Sequence, residues 1–241
     1  MPLLTIMTKF AERAGWVVPV TVANSSDTQL RKALGLLNEL VEELVNSPFT
    51  YSFLIKEAAF VSVDGASQGY LDELAPAGYH SMIDNTFFDR SQNKAIEGPI
   101  SPDEWQRRQA MALSGTCYEY REWQGQLWLS PDGVDGSQMA FEYRSKYPIV
   151  DESNPPTVTY KPNFTLDTDT SLIPEDLLLI GLRYKWREDN GFDATALKNS
   201  FESMLATFQS RDKGRKKVSM SGSAARSGTG IVIPFGSFNQ S

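Results

Sequence analysis

His80 and Cys117 are the only imidazole and the only thiol in the chain, which narrows the available chemistry before any fold is considered. Hydrolytic and metal centres that gather several imidazoles are excluded, as are an internal disulfide and a cysteine-based zinc site. A Cys117–His80 nucleophile–base pair is formally open. No helix N-terminus follows Cys117 to lower its pKa, however, and no glycine-rich oxyanion turn accompanies it. Tyr118 and Tyr120 beside it read as a strand, where a lone cysteine packs as a small apolar residue. A carboxylate pair of the kind that cleaves glycosidic bonds is the other option, and Glu119, Glu122, Asp132 and Asp135 lie close together in sequence. Acids on a hairpin and its loops ordinarily face water, so they are expected to be solvated. Gly228-Thr-Gly230 is not a phosphate loop, because it lacks the Gly-Lys-Ser/Thr ending and a helix behind it. The expectation is a chain with no catalytic, cofactor-binding or metal-ligating residues, and no enzyme.

Binding chemistry has more support. Tyr118, Tyr120, Trp123, Trp128, Phe141 and Tyr143 could form a sugar-binding platform. Alternate residues of a strand face opposite sides, so about half of them must be core. Trp123 and Trp128 can equally cover the sheet.

The strongest binding signal lies in Lys213 to Ser241. Arg215, Lys216 and Lys217 follow Lys213, a Ser/Gly/Ala run carries Arg226, and an apolar tip holds Ile231, Ile233 and Phe235, with Phe238 beyond. The first two parts have too few apolar residues to offset the entropy of ordering them alone. The tip alternates like a strand without a neighbour to pair with. Fully extended, such an arm reaches roughly 95 Å. A basic stretch with an apolar tip fits docking on another molecule, either in a groove or as an added strand.

Charge is distributed accordingly. The chain carries −7, yet residues 211–241 hold six cations against Asp212 alone, so −12 remains on residues 1–210. An acidic body argues against a DNA-gripping domain, which needs a clustered basic face. The basic arm suits an acidic protein partner. Hydrophobic residues at 41% and charged residues at 22% match a water-soluble globular protein. No apolar run approaches the roughly 18 residues of a membrane span. The N-terminal residues lack a basic leader with a long apolar core, so use without secretion is expected.

The positioning elements are two helical blocks around a β-rich middle. Leu3, Leu4, Met7, Phe10 and Ala14 share a helical face that Gly15 ends. Asp27 caps a second helix with Leu30, Leu34, Leu37, Val41 and Leu44 on one side, ended by Pro48. Pro174 at the first helical position, with Glu175 and Asp176, opens a third helix that Asn190-Gly191 closes. Asp193 caps a fourth, with Phe192 as a hydrophobic staple and Leu197, Phe201, Met204, Leu205 and Phe208 as its apolar face. In the middle, residues 118–123, a Gln124-Gly125 turn and residues 126–130 predict a hairpin. Residues 139–144 add a third strand after a loop over 131–136. Ser101-Pro-Asp-Glu104 is a capping box opening a short helix.

The predicted fold is α+β. Residues 1–49 and 172–212 supply helix pairs that form a four-helix bundle, residues 50–171 form an inserted antiparallel β-rich domain, and residues 213–241 form an extended C-terminal arm.

The order of these elements resembles the head-to-tail adaptor, or connector, proteins of short-tailed bacteriophages, the group that includes tail tubular protein A. The carrying segments are Asp72-Glu-Leu-Ala-Pro-Ala-Gly-Tyr-His80, Asn85-Thr-Phe-Phe-Asp-Arg-Ser91 and Gly98-Pro-Ile-Ser-Pro-Asp-Glu-Trp-Gln106. Tyr118-Glu-Tyr-Arg, Gln126-Leu-Trp-Leu-Ser-Pro131 and Phe141-Glu-Tyr-Arg-Ser-Lys146 follow. Last comes Asp167-Thr-Asp-Thr-Ser-Leu-Ile-Pro-Glu-Asp-Leu177, running into Gly181-Leu-Arg-Tyr-Lys-Trp186. With the helix that Asp27 caps, these span residues 28–212.

The resemblance implies a structural virion protein at the portal vertex, assembled in the host cytoplasm and built as a ring of twelve copies. It also implies partners: the portal protein on one side and the tail tube or nozzle protein on the other. DNA would pass through the channel without sequence-specific binding, aided by the negative charge of the bodies. In this reading Arg215, Lys216, Lys217, Arg226, Ile231, Ile233, Phe235 and Phe238 are the portal-binding residues. No cofactor and no membrane are implied. The alternatives are a glycan-binding tail adhesin, using Trp123 and Trp128, or a tail-associated lysin domain.

Overall fold

The structure, a computed structural model, describes residues 1–110, 118–151, 153 and 158–212. In chain order its helices are α1 (Leu3–Ala14), α2 (Thr28–Asn46), α3 (Leu71–Leu74), α4 (Pro102–Ala110), α5 (Glu175–Asp189) and α6 (Thr195–Asp212), with a 3₁₀ turn at Ser52–Leu54. The strands are β1 (Ile55–Val61), β2 (Gly65–Tyr70), β3 (Tyr79–Met82), β4 (Phe88–Asp89), β5 (Lys94–Ala95), β6 (Glu119–Trp123), β7 (Gln126–Gly133), β8 (Gln138–Ser145), β9 (Ile149–Asp151), β10 (Thr159–Lys161) and β11 (Thr170–Ser171). The architecture is mixed α+β with antiparallel sheets.

The helices form where the apolar spacing predicts them. Gly15 takes φ 73° and turns its N–H back onto Ala11 and Glu12, which ends α1 in the left-handed conformation that glycine adopts at low cost. Asp27 caps α2 by accepting from the Gln29 amide at 2.8 Å. Pro174 stands one residue ahead of α5 rather than inside it, and Asn190 with Gly191 closes that helix. Asp193 accepts from Thr195 N at 2.9 Å, likewise just ahead of α6.

One core is shared by helices from both ends of the chain. Leu3, Ile6, Met7 and Phe10 of α1 meet Leu37, Leu40 and Val41 of α2 and Leu178 and Leu182 of α5. α5 is the central element, touching α1, α2 and α6, which is why its first turns are apolar on nearly every side. Gly181 lets α2 and α6 approach, since a Cβ there would lie 2.4 Å from Leu40 Cδ2 and 3.0 Å from Phe201. Lys185, placed by spacing on the apolar side, is buried and donates to Glu39 and Glu43 of α2 at 2.9 and 2.6 Å. Of the four helices expected to form the bundle, α6 buries the fewest residues. It packs on α5 and contributes one buried residue, Phe201, while Met204 remains 37% exposed.

The β-rich part holds three sheets rather than one. β8 pairs with β1 on one side and with β3 and β4 on the other, with β5 outside β4. The predicted hairpin forms, Tyr120 facing Leu129, with Gln124 and Gly125 both at positive φ as a type I′ turn requires. β2 joins β7 on its other edge. The strand over residues 139–144 therefore belongs to a different sheet from the hairpin it was expected to extend. Residues 131–133, expected as loop, continue β7. Tyr120, Leu127 and Leu129 of the hairpin share a core with Phe141 and Tyr143 of β8, so the two sheets pack face to face. The expected capping box is half made: Ser101 Oγ accepts from Glu104 N at 3.3 Å, while the Glu104 carboxylate turns toward Arg108 at 3.9 Å.

The third sheet, β10-β9-β11, sits against the helices and carries a polar clamp. Asp169, fully buried, accepts from Thr165 N, Leu166 N, Thr165 Oγ and Lys161 Nζ at 2.7–3.2 Å. Its backbone carbonyl takes Leu3 N at 2.9 Å, and that of Asp167 takes Leu4 N at 3.2 Å. Replacing Asp169 with Ala strands these buried donors and is expected to cost about 3 kcal/mol, measured by urea unfolding. Lys161 also pairs with Asp151 at 2.5 Å. That hydrogen bond, with those from Ser153, holds the Asp151 carboxyl at about 2. Its stabilisation is thus present above the ordinary carboxylate range and is lost as pH falls from about 4 to 2. Melting temperature followed across that window should fall less steeply in Lys161→Met than in the wild type.

Candidate functional site

The predicted binding residues Arg215, Lys216, Lys217, Arg226, Ile231, Ile233, Phe235 and Phe238 lie outside the described residues. What the structure supplies is the point from which they depart. Asp212, the last residue of α6, accepts from Ser52 N at 2.7 Å and from the Ser52 hydroxyl. One turn earlier, Gln209 Nε2 reaches Tyr51 Oη at 3.2 Å. Tyr51 is fully buried, with Phe53 at 5.3 Å and Phe208 at 5.8 Å, both nearly parallel to it. The root of the arm is therefore fastened to the segment joining α2 to β1.

Arg144 fixes the same junction from the sheet. It extends from β8 and donates to the carbonyls of Val45 and, at 2.7 Å, Ser47. These are carbonyls that the end of α2 leaves without helical partners, and a cation suits that end of the helix dipole. Burial lowers the Arg144 pKa, and the planar guanidinium remains charged while bridging two acceptors. Beside it a cleft of about 440 Å³ is lined by Thr50, Ser52, Met82, Asp84 and Asp212.

The Asn85–Ser91 segment, one of those carrying the resemblance, lines a second groove, of about 550 Å³, on the open face of the β1–β8–β4 sheet. Phe88 is 44% exposed there, and Arg90 pairs with Glu57 at 3.0 Å. Asp89 points inward and shapes the turn by accepting from Ser91 N and Gln92 N at 2.9 and 3.0 Å.

The aromatic hairpin divides as strand geometry demands. Tyr120 goes to the core, whereas Arg121, Trp123 and Trp128 share the other face, covered by Trp105 of α4. The Arg121 guanidinium lies 5.4 Å from the Trp123 ring centre and 6.0 Å from that of Trp105. A cation thus occupies aromatic faces that a sugar would need. The acids named for catalysis are dispersed. Glu119 pairs with Arg108 at 2.5 Å, and burial raises its pKa against that pull. Glu122 projects from the opposite side of β6, where its charge helps raise the Tyr79 and Tyr120 hydroxyl pKa values beyond what burial alone does. Asp132 and Asp135 are exposed. His80 is exposed on β3, its Nδ1 3.2 Å from Ser81 Oγ. Cys117, its proposed partner, lies outside the described residues. No cluster of His, Cys, Asp and Glu suited to a metal is present among the described residues, and no helix there is long and apolar enough to cross a membrane.

Sequence reading passed over the polar clamps at Asp167, Asp169, Arg144 and Lys185. It also passed over a cationic aromatic groove between α1 and α5. Arg183, Trp186 and Arg187 lie at three- and four-residue steps, a signal of one shared helical face.

The chain matches no known protein family and no curated protein. Removing the Arg144 guanidinium by Arg144→Met leaves the carbonyls of Val45 and Ser47 without their donor. A loss of about 2–3 kcal/mol is expected in urea unfolding, with Arg144→Lys recovering only part of it because a compact, strongly hydrated ammonium on a flexible stem does not reproduce the planar, weakly hydrated guanidinium at a buried seam.

Proposed function

We propose that this chain is a non-enzymatic structural subunit of a phage virion, an adaptor whose ring joins the portal to the tail tube or nozzle. In this proposal α1, α2, α5 and α6 act as a four-helix bundle, the β-rich insert of residues 50–171 faces the tail, and residues 213–241 reach the portal. DNA passes through the ring without sequence-specific contact.

The observation that carries the reading is the anchored root at Asp212 followed by a wholly basic, apolar-tipped stretch. Residues 213–241 hold five cations and no acid, and they leave a body that carries −12 over residues 1–210. An arm held by its base and opposite in charge to its body is suited to a second molecule rather than to its own surface. The succession of sequence segments along residues 28–212 carries the same family likeness. A mixed helical and β body also offers two unlike lateral faces, which a closed ring of identical subunits needs. Avidity would make weak arms sufficient, because each docked arm raises the local concentration of the next.

Deleting residues 213–241 should leave a folded protein, with an unchanged melting temperature, that no longer co-purifies with portal complexes in a pull-down. Normal joining of the truncated protein to portals would sink the assignment of the arm. Failure of the full chain to join portals or to change mass on mixing with them would sink the adaptor reading itself.

A further inference from the structure

The ends of α1 and α5, with the turn into α6, enclose a groove of about 340 Å³. Its floor is a mutually perpendicular aromatic triad. Phe10 and Trp16 lie 5.3 Å apart, Trp16 and Trp186 4.8 Å, and Phe10 and Trp186 5.9 Å, all edge to face. Phe10 is buried in the helical core, so the floor is fixed before any ligand arrives.

Three arginines, Arg13, Arg183 and Arg187, line the same groove. The side chains of Arg13 and Arg183 have no ion pair or hydrogen bond among the described residues, and the charge of Arg187 contributes to lowering the pKa of Asp193. These cations stand together at one groove on a body whose net charge is −12. The groove also continues into apolar surface. Val17 and Val20, just after Trp16, are each 91% exposed, and Phe192 at the lip is 62% exposed. Adjoining exposed apolar groups of this kind mark a contact surface.

Unmatched arginines around an aromatic floor call for a ligand with carboxylates and an apolar anchor. A polynucleotide would meet the acidic body, and the valine rim offers nothing to bases. The chain's own residues 213–241 carry five cations and no acid, so the arginines repel them. We propose that this groove docks a segment of a partner protein in which one large apolar side chain is flanked by Asp or Glu. The apolar anchor fills the floor, and the flanking carboxylates take Arg13 and Arg183, the latter able to form bidentate pairs. The inference does not depend on the adaptor reading.

A displayed library of random twelve-residue peptides selected on the full-length protein tests it. Enriched peptides should carry Asp or Glu beside Leu, Phe or Trp. Measured by fluorescence polarisation, their affinity should fall at least about tenfold in Arg13→Glu/Arg183→Glu and weaken as salt rises. Phe192→Asp, at an exposed position, should weaken binding comparably, and it carries the test if the double variant fails to fold. No enrichment, enrichment of peptides without acids, or equal binding to folded variants overturns the proposal. Tighter binding of a labelled oligo-dT than of any selected peptide overturns it in favour of nucleic acid. Self-association seen by light scattering in the wild type and lost in the variants overturns it in favour of a second copy of the chain.

Discussion

Two carboxylates two residues apart decide whether the ends of this chain can share a core. Asp167 accepts from Val22 N and Ala23 N at 2.9 and 2.8 Å and from Thr21 Oγ at 2.6 Å. Asp169 organises its own turn from within and holds Lys161. Between them their backbone carbonyls satisfy the first two amides of α1, a helix whose N-cap is Pro2 and which has no side-chain cap of its own. Closing a loop of well over a hundred residues carries an entropic cost that grows only slowly with its length, so a few well-placed hydrogen bonds suffice to direct it. Apolar contact between α1, α2 and α5 then supplies the bulk of the stabilisation. Asn38 repeats the device from α2, exchanging hydrogen bonds with the backbone of Phe164.

The helical layer and the sheets are joined by a second set of polar contacts, different in kind. Arg144 carries the charge of β8 onto the end of α2, while Tyr51 and Phe208 stack beside it. A guanidinium between two backbone acceptors has little freedom, and aromatic stacking across the same seam removes more. The position of Asp212 relative to β1 is consequently a rigid feature of the body. Whatever residues 213–241 contact, their reach is measured from a fixed origin, which suits attachment at a set distance in the proposed ring.

Local signals were legible in the sequence, and long-range ones were not. Gly15, Asp27 and Gly191 announce helix ends because their effect is confined to one turn. Gln124-Gly125 announces the hairpin for the same reason. Which sheet β8 joins cannot be read from its residues, since alternation specifies a face and not a neighbour. The Asp167 clamp pairs groups 145 residues apart, and nothing near Val22 marks it as the partner. Lys185 falls at an apolar position because α2 brings Glu39 and Glu43 to meet it, information that α5 alone does not contain. The half exposure of α6 has a local cause: its apolar residues are less sharply segregated to one face than those of α2, so fewer of them reach α5, the end of α2 and the Tyr51 segment. For the candidate site, the charge and pattern of residues 213–241 were legible and their anchorage was not.

The distribution of cations separates two kinds of recognition. On an acidic body, most lysines and arginines are committed: Lys161 and Lys185 inside, Arg144 at the seam, Arg90 and Arg108 against Glu57 and Glu119. Arg13 and Arg183 are not, and the groove they line contains no acid. Holding them apart beside Trp16 and Trp186 keeps like charges together, and that repulsion is relieved only when carboxylates arrive. Because both helices are packed on a common core, no conformational entropy of the backbone is lost at that moment. Recognition there is governed by shape and rigid charge, whereas a basic segment tethered at Asp212 is governed by tether length and number of copies. A protein that must hold several partners in fixed relation gains from having both.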